Sequence, residues 1–208
     1  MNEEEAQDWV AMRFGAASRD RLRRFATLVQ RETAQQNLIA ASTIGSIWAR
    51  HIVDSAQLVS LAPRDGTWLD VGTGAGFPGL IVAALRPEPT VLVEPRRLRA
   101  AFLSHAVSVL GITNVQIVTS KIEHLQHPSK VVSARAVAPV ERLLCAASAC
   151  ATMETRWLLP RGRQGAAELR SLGRRWSGEF HVKQSITDEL SSILILDGVS
   201  FRHSVEPS

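Results

Sequence analysis

The stretch Trp68 to Gly79, Trp-Leu-Asp-Val-Gly-Thr-Gly-Ala-Gly-Phe-Pro-Gly, constrains this 208-residue chain more than any other. An apolar run ends at Val71, glycines follow at Gly72, Gly74 and Gly76, and a helical pattern opens at Gly79. Strand, glycine turn and helix in that order begin a parallel sheet with helices on its faces. Such folds hold ligands in the crevice beyond the carboxyl ends of the strands. The glycines let the backbone turn sharply and let a ligand lie against bare main chain.

The rest of the chain fits an α/β reading. Strands are predicted at Thr67 to Val71, Thr90 to Val93, Val115 to Thr119, Val131 to Ala134 and Arg156 to Leu159. Helices fill Gly79 to Leu85, Arg96 to Leu110, Val140 to Met153 and Gln164 to Leu172. The tail differs, because Phe180 to Ser185 and Ser191 to Leu196 are strand-like with only a short polar link between them. A parallel crossover needs a dozen or more residues, so this pair is predicted to be antiparallel.

Residues 1–63 form an N-terminal helical extension to a core of residues 64–208, one compact domain overall. In the extension Ser18 is placed to cap a helix carrying Leu22, Phe25, Leu28 and Val29, with a break near Asn37. Ser42 or Thr43 then caps a second helix whose stripe is Ile44, Ile47, Trp48, Ile52, Leu58 and Val59.

Composition excludes several classes. With 45% hydrophobic and 21% charged residues the chain is neither disordered nor fibrous. Cys145 and Cys150 lie five apart in a helical run, a spacing that offers no disulfide framework and no zinc or other metal site. The acidic opening and the lack of a long apolar run argue against a signal peptide or a membrane span, leaving a cytoplasmic address. The net charge is +4, and of 24 basic residues all but Lys121, Lys130 and Lys183 are arginine. A basic surface suits an anionic partner such as RNA, with Arg96, Arg97, Arg99, Arg161 and Arg163 near strand ends the expected contacts.

Gly74, Gly76 and Gly79 satisfy the spacing of a dinucleotide loop, so an NAD-dependent oxidoreductase has to be weighed. A pyrophosphate wants positive potential and free amides. Asp70 brings a negative charge, Pro78 removes a donor, and no Lys or Arg occurs from Leu69 to Gly79. S-adenosylmethionine has no phosphate and carries two cationic centres that tolerate Asp70, so the methyl donor fits better. Glu94, 18 residues after Gly76, is placed to accept from a ribose diol, and Ile122 and Glu123 after the third strand border an adenine site.

The segment after the fourth strand, Ser133 to Pro139, faces the methyl acceptor in such a fold. It holds no Asn-Pro-Pro-aromatic signature for exocyclic amines, and neither cysteine stands at a strand end for attack on a pyrimidine carbon. Ring nitrogens and oxygens remain as acceptors. Guanine N7 needs no general base because it has no proton to lose, and Arg135 is the candidate to steady the base or a phosphate. A noncatalytic RNA-binding protein on a degenerate methyltransferase fold is a further alternative.

The ordered set Asn37-Leu38, Arg50-His51-Ile52-Val53-Asp54-Ser55, Asp70 to Gly79, Ser133-Ala134-Arg135-Ala136 and Leu159-Pro160-Arg161-Gly162 resembles the glucose-inhibited division protein B family. That family is the bacterial 16S ribosomal RNA guanine-N7 methyltransferase, RsmG. The resemblance implies a class I, Rossmann-like methyltransferase fold and a monomeric enzyme. It also implies S-adenosyl-L-methionine as methyl donor and 16S ribosomal RNA or the small ribosomal subunit as partner. Donor contacts then fall on Gly72, Phe77, Ile122, Glu123 and Arg135, with Asp70, Gly74, Gly76 and Glu94 in the same site. Arg50 and His51 border the acceptor. The chain departs from the family where Ser-Ala-Arg-Ala replaces Ser-Arg-Ala and Leu-Pro-Arg-Gly replaces Leu-Lys-Gly.

Overall fold

The computed structural model describes residues 1–173 and 175–201. Five parallel strands, β1 Trp68–Val71, β2 Thr90–Val93, β3 Val115–Val118, β4 Val131–Ser133 and β5 Arg156–Arg161, form most of the sheet. A C-terminal hairpin, β6 Trp176–Gln184 and β7 Ser192–Phe201, completes the order β3-β2-β1-β4-β5-β7-β6. Both β7 pairings are antiparallel, that with β6 as the short polar link requires. Between β1 and β4 the strand order reverses direction, which opens a crevice at their carboxyl ends. Gly72 leaves one of these strands and Arg135 lies just past the other.

The helices form two layers. On one face α1 Glu3–Phe14, α2 Ala16–Gln36, α4 Gly79–Leu85 and α5 Arg97–Leu110 share a core with Phe25, Trp48, Phe77, Leu80 and Leu103. On the other, α6 Val140–Ala146 and α7 Gly165–Leu172 cover Leu69, Val71, Val132, Trp157 and Leu194. Nearly every residue of β1, β2, β4 and β5 is buried, as expected for parallel strands covered on both sides.

The N-terminal third departs from expectation in three ways. First, an additional helix, α1, precedes the expected one, opened by a capping box in which the Asn2 side chain accepts from the Glu5 amide and Glu5 accepts from the Asn2 amide. Second, α2 starts at Ala16 after Gly15, so Ser18 lies inside its first turn and caps nothing; its end at Asn37, in the left-handed conformation, is where the break was expected. Third, the second helix is irregular. Residues Ala41–Ser46 are a 3₁₀ turn, Trp48–Val53 a π-helical turn, Asp54–Ala56 (α3) a short α turn and Gln57–Leu61 again 3₁₀. Neither Ser42 nor Thr43 caps it. The Glu3 carboxylate from α1 instead accepts from the Trp48 and Ala49 amides at 3.0 and 2.9 Å. Outside this region, α6 is shorter than expected, and its predicted end is a separate 3₁₀ turn, Ser148–Cys150.

Candidate active site

The glycine loop is held from below and from the side. Asp70, fully buried at the end of β1, accepts from Ser133 Oγ at 2.6 Å and from the Gly79 amide at 2.8 Å. The Trp68 indole in turn donates to Ser133 Oγ at 2.8 Å. Asp70 was expected at the mouth of the loop, facing the donor. Instead both its oxygens are engaged inside the protein, where burial pushes its pKa up to about 6 against the pull of the Ser133 and Gly79 hydrogen bonds.

From the side, Glu94 accepts the Gly74 amide at 3.0 Å through one oxygen and the Arg96 amide at 2.9 Å through the other. Each oxygen keeps a lone pair for a further donor. The loop glycines divide by task. Gly72 has φ +64°, and a Cβ there would stand 2.8 Å from Val137, whose side chain roofs the loop. Gly76, expected to touch the ligand, turns into the core, where a Cβ would meet Leu80 at 2.9 Å and the Phe25 ring at 3.1 Å.

Two clefts meet above this loop. One, of about 380 Å³, is lined by Gly72, Gly74, Phe77, Glu94, Arg99 and Val137 among others. The second, of about 280 Å³, is lined by Thr43, Arg50, Asp54, Arg161, Thr187 and Ser191 among others. His51, Arg135 and Ala136 belong to both and form the partition. Ile122 and Glu123 do not line either cleft: Ile122 packs into the core and Glu123 is exposed on the turn after β3.

The partition is an organised polar array. Arg135 Nη2 donates to His51 Nδ1 at 2.8 Å, while Nη1 reaches the Arg50 carbonyl at 3.2 Å and Asp54 Oδ2 at 3.4 Å. Its guanidinium lies 5.3 Å from the centre of the Phe77 ring, on which His51 also stacks at 5.0 Å. Because a guanidinium only donates, His51 Nδ1 must accept, so the ring proton is on Nε2 and is donated to Thr43 Oγ1 at 2.8 Å. Thr43 passes its own proton to the Ala40 carbonyl at 2.8 Å. Burial, then the charges of Arg135 and Arg50, push the His51 pKa down to about 3. His51 is therefore neutral at physiological pH, and its lone pair is already engaged by Arg135.

Asp54 ties the partition to the hairpin. Its Oδ1 accepts from Gln57, Ser185 and Thr187 at 3.1, 3.3 and 3.3 Å. Arg50, expected beside the acceptor, has its guanidinium on Asp188 of the β6–β7 turn at 2.6 Å, at the rim of the second cleft. Sequence reasoning named Thr43 only as a helix cap and Asp54 only within the Arg50-to-Ser55 motif, and passed over Thr187. The spacing of His51 and Asp54, three apart on one helical face, was the available signal for Asp54; nothing local pointed to Thr43 or Thr187.

Of the arginines expected on RNA, Arg96 and Arg97 are exposed at the start of α5 and Arg99 is half-buried at the cleft wall. Arg161 differs. Its side chain is 7% exposed and donates inward to main-chain carbonyls.

The model of the rRNA small subunit methyltransferase G family matches residues 18–192. The chain belongs to that family. Its relatives include the ribosomal RNA small subunit methyltransferase G of Sphingopyxis alaskensis, 44% identical over 95% of this chain and 87% of the relative. That of Erythrobacter litoralis is 43% identical over 93% of this chain and 95% of the relative. Among solved structures, a ribosomal protein L11 methylase from Lactobacillus delbrueckii superposes with a TM-score of 0.57 at 12% identity, covering 72% of this chain and 77% of that one. A SAM-dependent methyltransferase from Aquifex aeolicus also gives 0.57, at 14% identity over 73% and 92%. At such identities the structural likeness speaks for the fold, that of class I methyltransferases. Membership sets aside the dinucleotide-dependent oxidoreductase. Among the described residues no cluster of His, Cys, Asp and Glu is placed to hold a metal, and no helix is long and apolar enough to cross a membrane.

Proposed function

We propose that this family member transfers a methyl group from S-adenosylmethionine to guanine N7 of 16S ribosomal RNA, and that it does so by positioning alone. The observation that carries this reading is the partition between the clefts. It holds a cation, Arg135, a neutral histidine whose lone pair is engaged, and the Asp54 carboxylate, paired with Arg135 and accepting from Gln57, Ser185 and Thr187, and so presents no free base at the point where acceptor and donor would meet. An exocyclic amine or a ribose hydroxyl must shed a proton when methylated, whereas N7 has none to shed.

The glycine-loop cleft suits the donor by its chemistry. Gly74 leaves main chain uncovered, Gly72 lines the cleft under the exposed Val137, and Glu94 is fixed by two amides with lone pairs to spare for a vicinal diol. Bound there, S-adenosylmethionine supplies an electrophilic methyl on a sulfonium. Gly72, Gly74 and Glu94 are the residues assigned to hold it. Phe77 is assigned to carry the His51–Arg135 array that borders it.

Arg135 then orients the acceptor from the partition, and Asp54, His51 and the Arg50 carbonyl fix its rotamer beforehand, so little freedom is lost on binding. The second cleft, with the hydroxyls of Thr187 and Ser191 and with Arg50 at its rim, takes the guanosine and its phosphate. The test is nucleoside analysis of 16S RNA or small subunits from a strain lacking the gene, incubated with labelled S-adenosylmethionine and the protein. Label in 7-methylguanosine is expected; label on an amine, ring carbon or ribose oxygen overturns the acceptor assignment.

A further inference from the structure

Arg161 ends β5 beside the second cleft, and its sequence context suggests an RNA contact. Its geometry points elsewhere. Nη1 donates to the Ala134 carbonyl at 3.2 Å and to the Pro160 carbonyl at 3.0 Å, and Nη2 to the Ala138 carbonyl at 3.2 Å. Nε faces Glu168 Oε2 at 3.6 Å, and that same oxygen accepts the Val140 amide at 3.1 Å. Together, Arg161 and Glu168 grip the segment from β4 to α6 at Ala134, Ala138 and Val140. The three residues between the first two grips are Arg135, Ala136 and Val137.

That segment needs holding. Ala136 has φ +55°, a left-handed conformation that costs a residue with a Cβ about 1 kcal/mol or more. Val137 roofs Gly72 and is itself 43% exposed, so little packing secures it. A planar guanidinium satisfies carbonyls on both sides of the strained residue at once, which the single point of an ammonium does less well.

We infer that Arg161 is a positioning residue: from inside the protein it clamps the Ala134–Ala138 segment and so sets where Arg135 stands between the two clefts. The inference rests on the methyl-transfer reading for its catalytic consequence, but the clamp has readouts of its own. When the clamp is lost, Ala136 relaxes and Arg135 retreats from His51. The histidine then loses a hydrogen bond to its lone pair and the larger of two repelling charges, the other being Arg50, while burial still holds its pKa down.

The experiment uses the full chain with Arg161→Met and Arg161→Lys. Hydrogen exchange of the 134–140 amides, NMR titration of the His51 ring (assigned with His51→Gln) and steady-state kinetics are compared. The expected result for the methionine variant is faster exchange in that segment and a His51 titration shifted up from about 3 toward the ordinary 6.5. Its kcat should fall by about a hundredfold, as expected for a displacement on the order of 1 Å, while KM for S-adenosylmethionine moves far less. The lysine variant should fall between.

A folded methionine variant with unchanged exchange, His51 titration and kcat overturns the clamp. If methionine prevents folding, a lysine variant that matches the wild type in all three readouts overturns it. A wild-type protein that methylates no RNA defeats the methyl-transfer reading, and exchange and titration still decide the clamp.

Discussion

Asp70→Asn tests whether the support under the glycine loop is a buried charge held at a cost. In the native protein the Asp70 pKa rises from 3.8 to about 6, chiefly through burial. That rise of about two units corresponds to ~3 kcal/mol by which ionisation disfavours the folded state. Between those two values the native state binds more protons than the unfolded chain. The stability Asp70 contributes is thus fully present below about pH 4 and is lost as pH rises through about 6. Asparagine cannot ionise, so the variant lacks this dependence. It also introduces a constant penalty: its amide must donate to Ser133 Oγ, which already accepts from Trp68, and the Ser133 hydroxyl proton loses its acceptor at a cost of about 1–3 kcal/mol. Urea unfolding of both proteins at a series of pH values is the assay. The wild-type stability minus that of the variant should fall by ~3 kcal/mol from about pH 3 to about pH 7. A difference that is flat, or that grows with pH, would refute the reasoning, because it would mean that the hydrogen bonds outweigh burial and hold Asp70 as a favoured anion.

Four further outcomes are expected. His51→Gln preserves an acceptor for Arg135 and a donor for Thr43, so it should keep far more activity than His51→Ala; equal loss in both would restore a proton-transfer role for the ring. The same glutamine variant reads the opposite linkage: the His51 pKa is lowered, so its contribution is present above pH 6.5 and lost as pH falls toward 3, and wild type minus variant should grow with pH over that range. Gly72→Ala forces a Cβ toward Val137 at a positive φ, and the displacement that relieves this contact reshapes the cleft wall, so S-adenosylhomocysteine binding should weaken by about tenfold; calorimetry showing wild-type affinity in a folded variant removes Gly72 from the donor site. Arg135→Lys cannot reach Asp54 and His51 together and should lower kcat about a hundredfold; kcat near wild type would place the orienting group elsewhere.

The parallel sheet was legible because its strands are short runs of apolar and β-branched residues closed by turn residues, a pattern set by burial on both faces. The crevice was legible for the same reason, since Gly72 and Glu94 follow strand ends. What the sequence hid was tertiary. The α1 helix buries little beyond Ala6 and Val10, so its apolar stripe is faint, although Asn2 and Glu5 were a readable start signal. Amides inside the broken 41–61 helix are satisfied by a carboxylate from Glu3, more than forty residues away. Asp70 read as a charge facing the donor and Arg161 as an RNA contact, because charged side chains are usually accessible. Only the fold brings Ser133 and the Gly79 amide to one, and three carbonyls to the other.

The placement of β7 has a temporal consequence. It follows every other described strand along the chain, yet it lies inside the sheet, between β5 and β6. Until it arrives, β5 presents an unpaired margin open to wrong pairing, and Arg156 lacks the carboxylate of Asp197. Asp54 likewise waits for Ser185 and Thr187, contacts that span more than 130 residues of chain. Such distant closures come late in folding. The glycine loop and its strands can therefore assemble first, whereas the wall of the second cleft is finished only once the hairpin has docked.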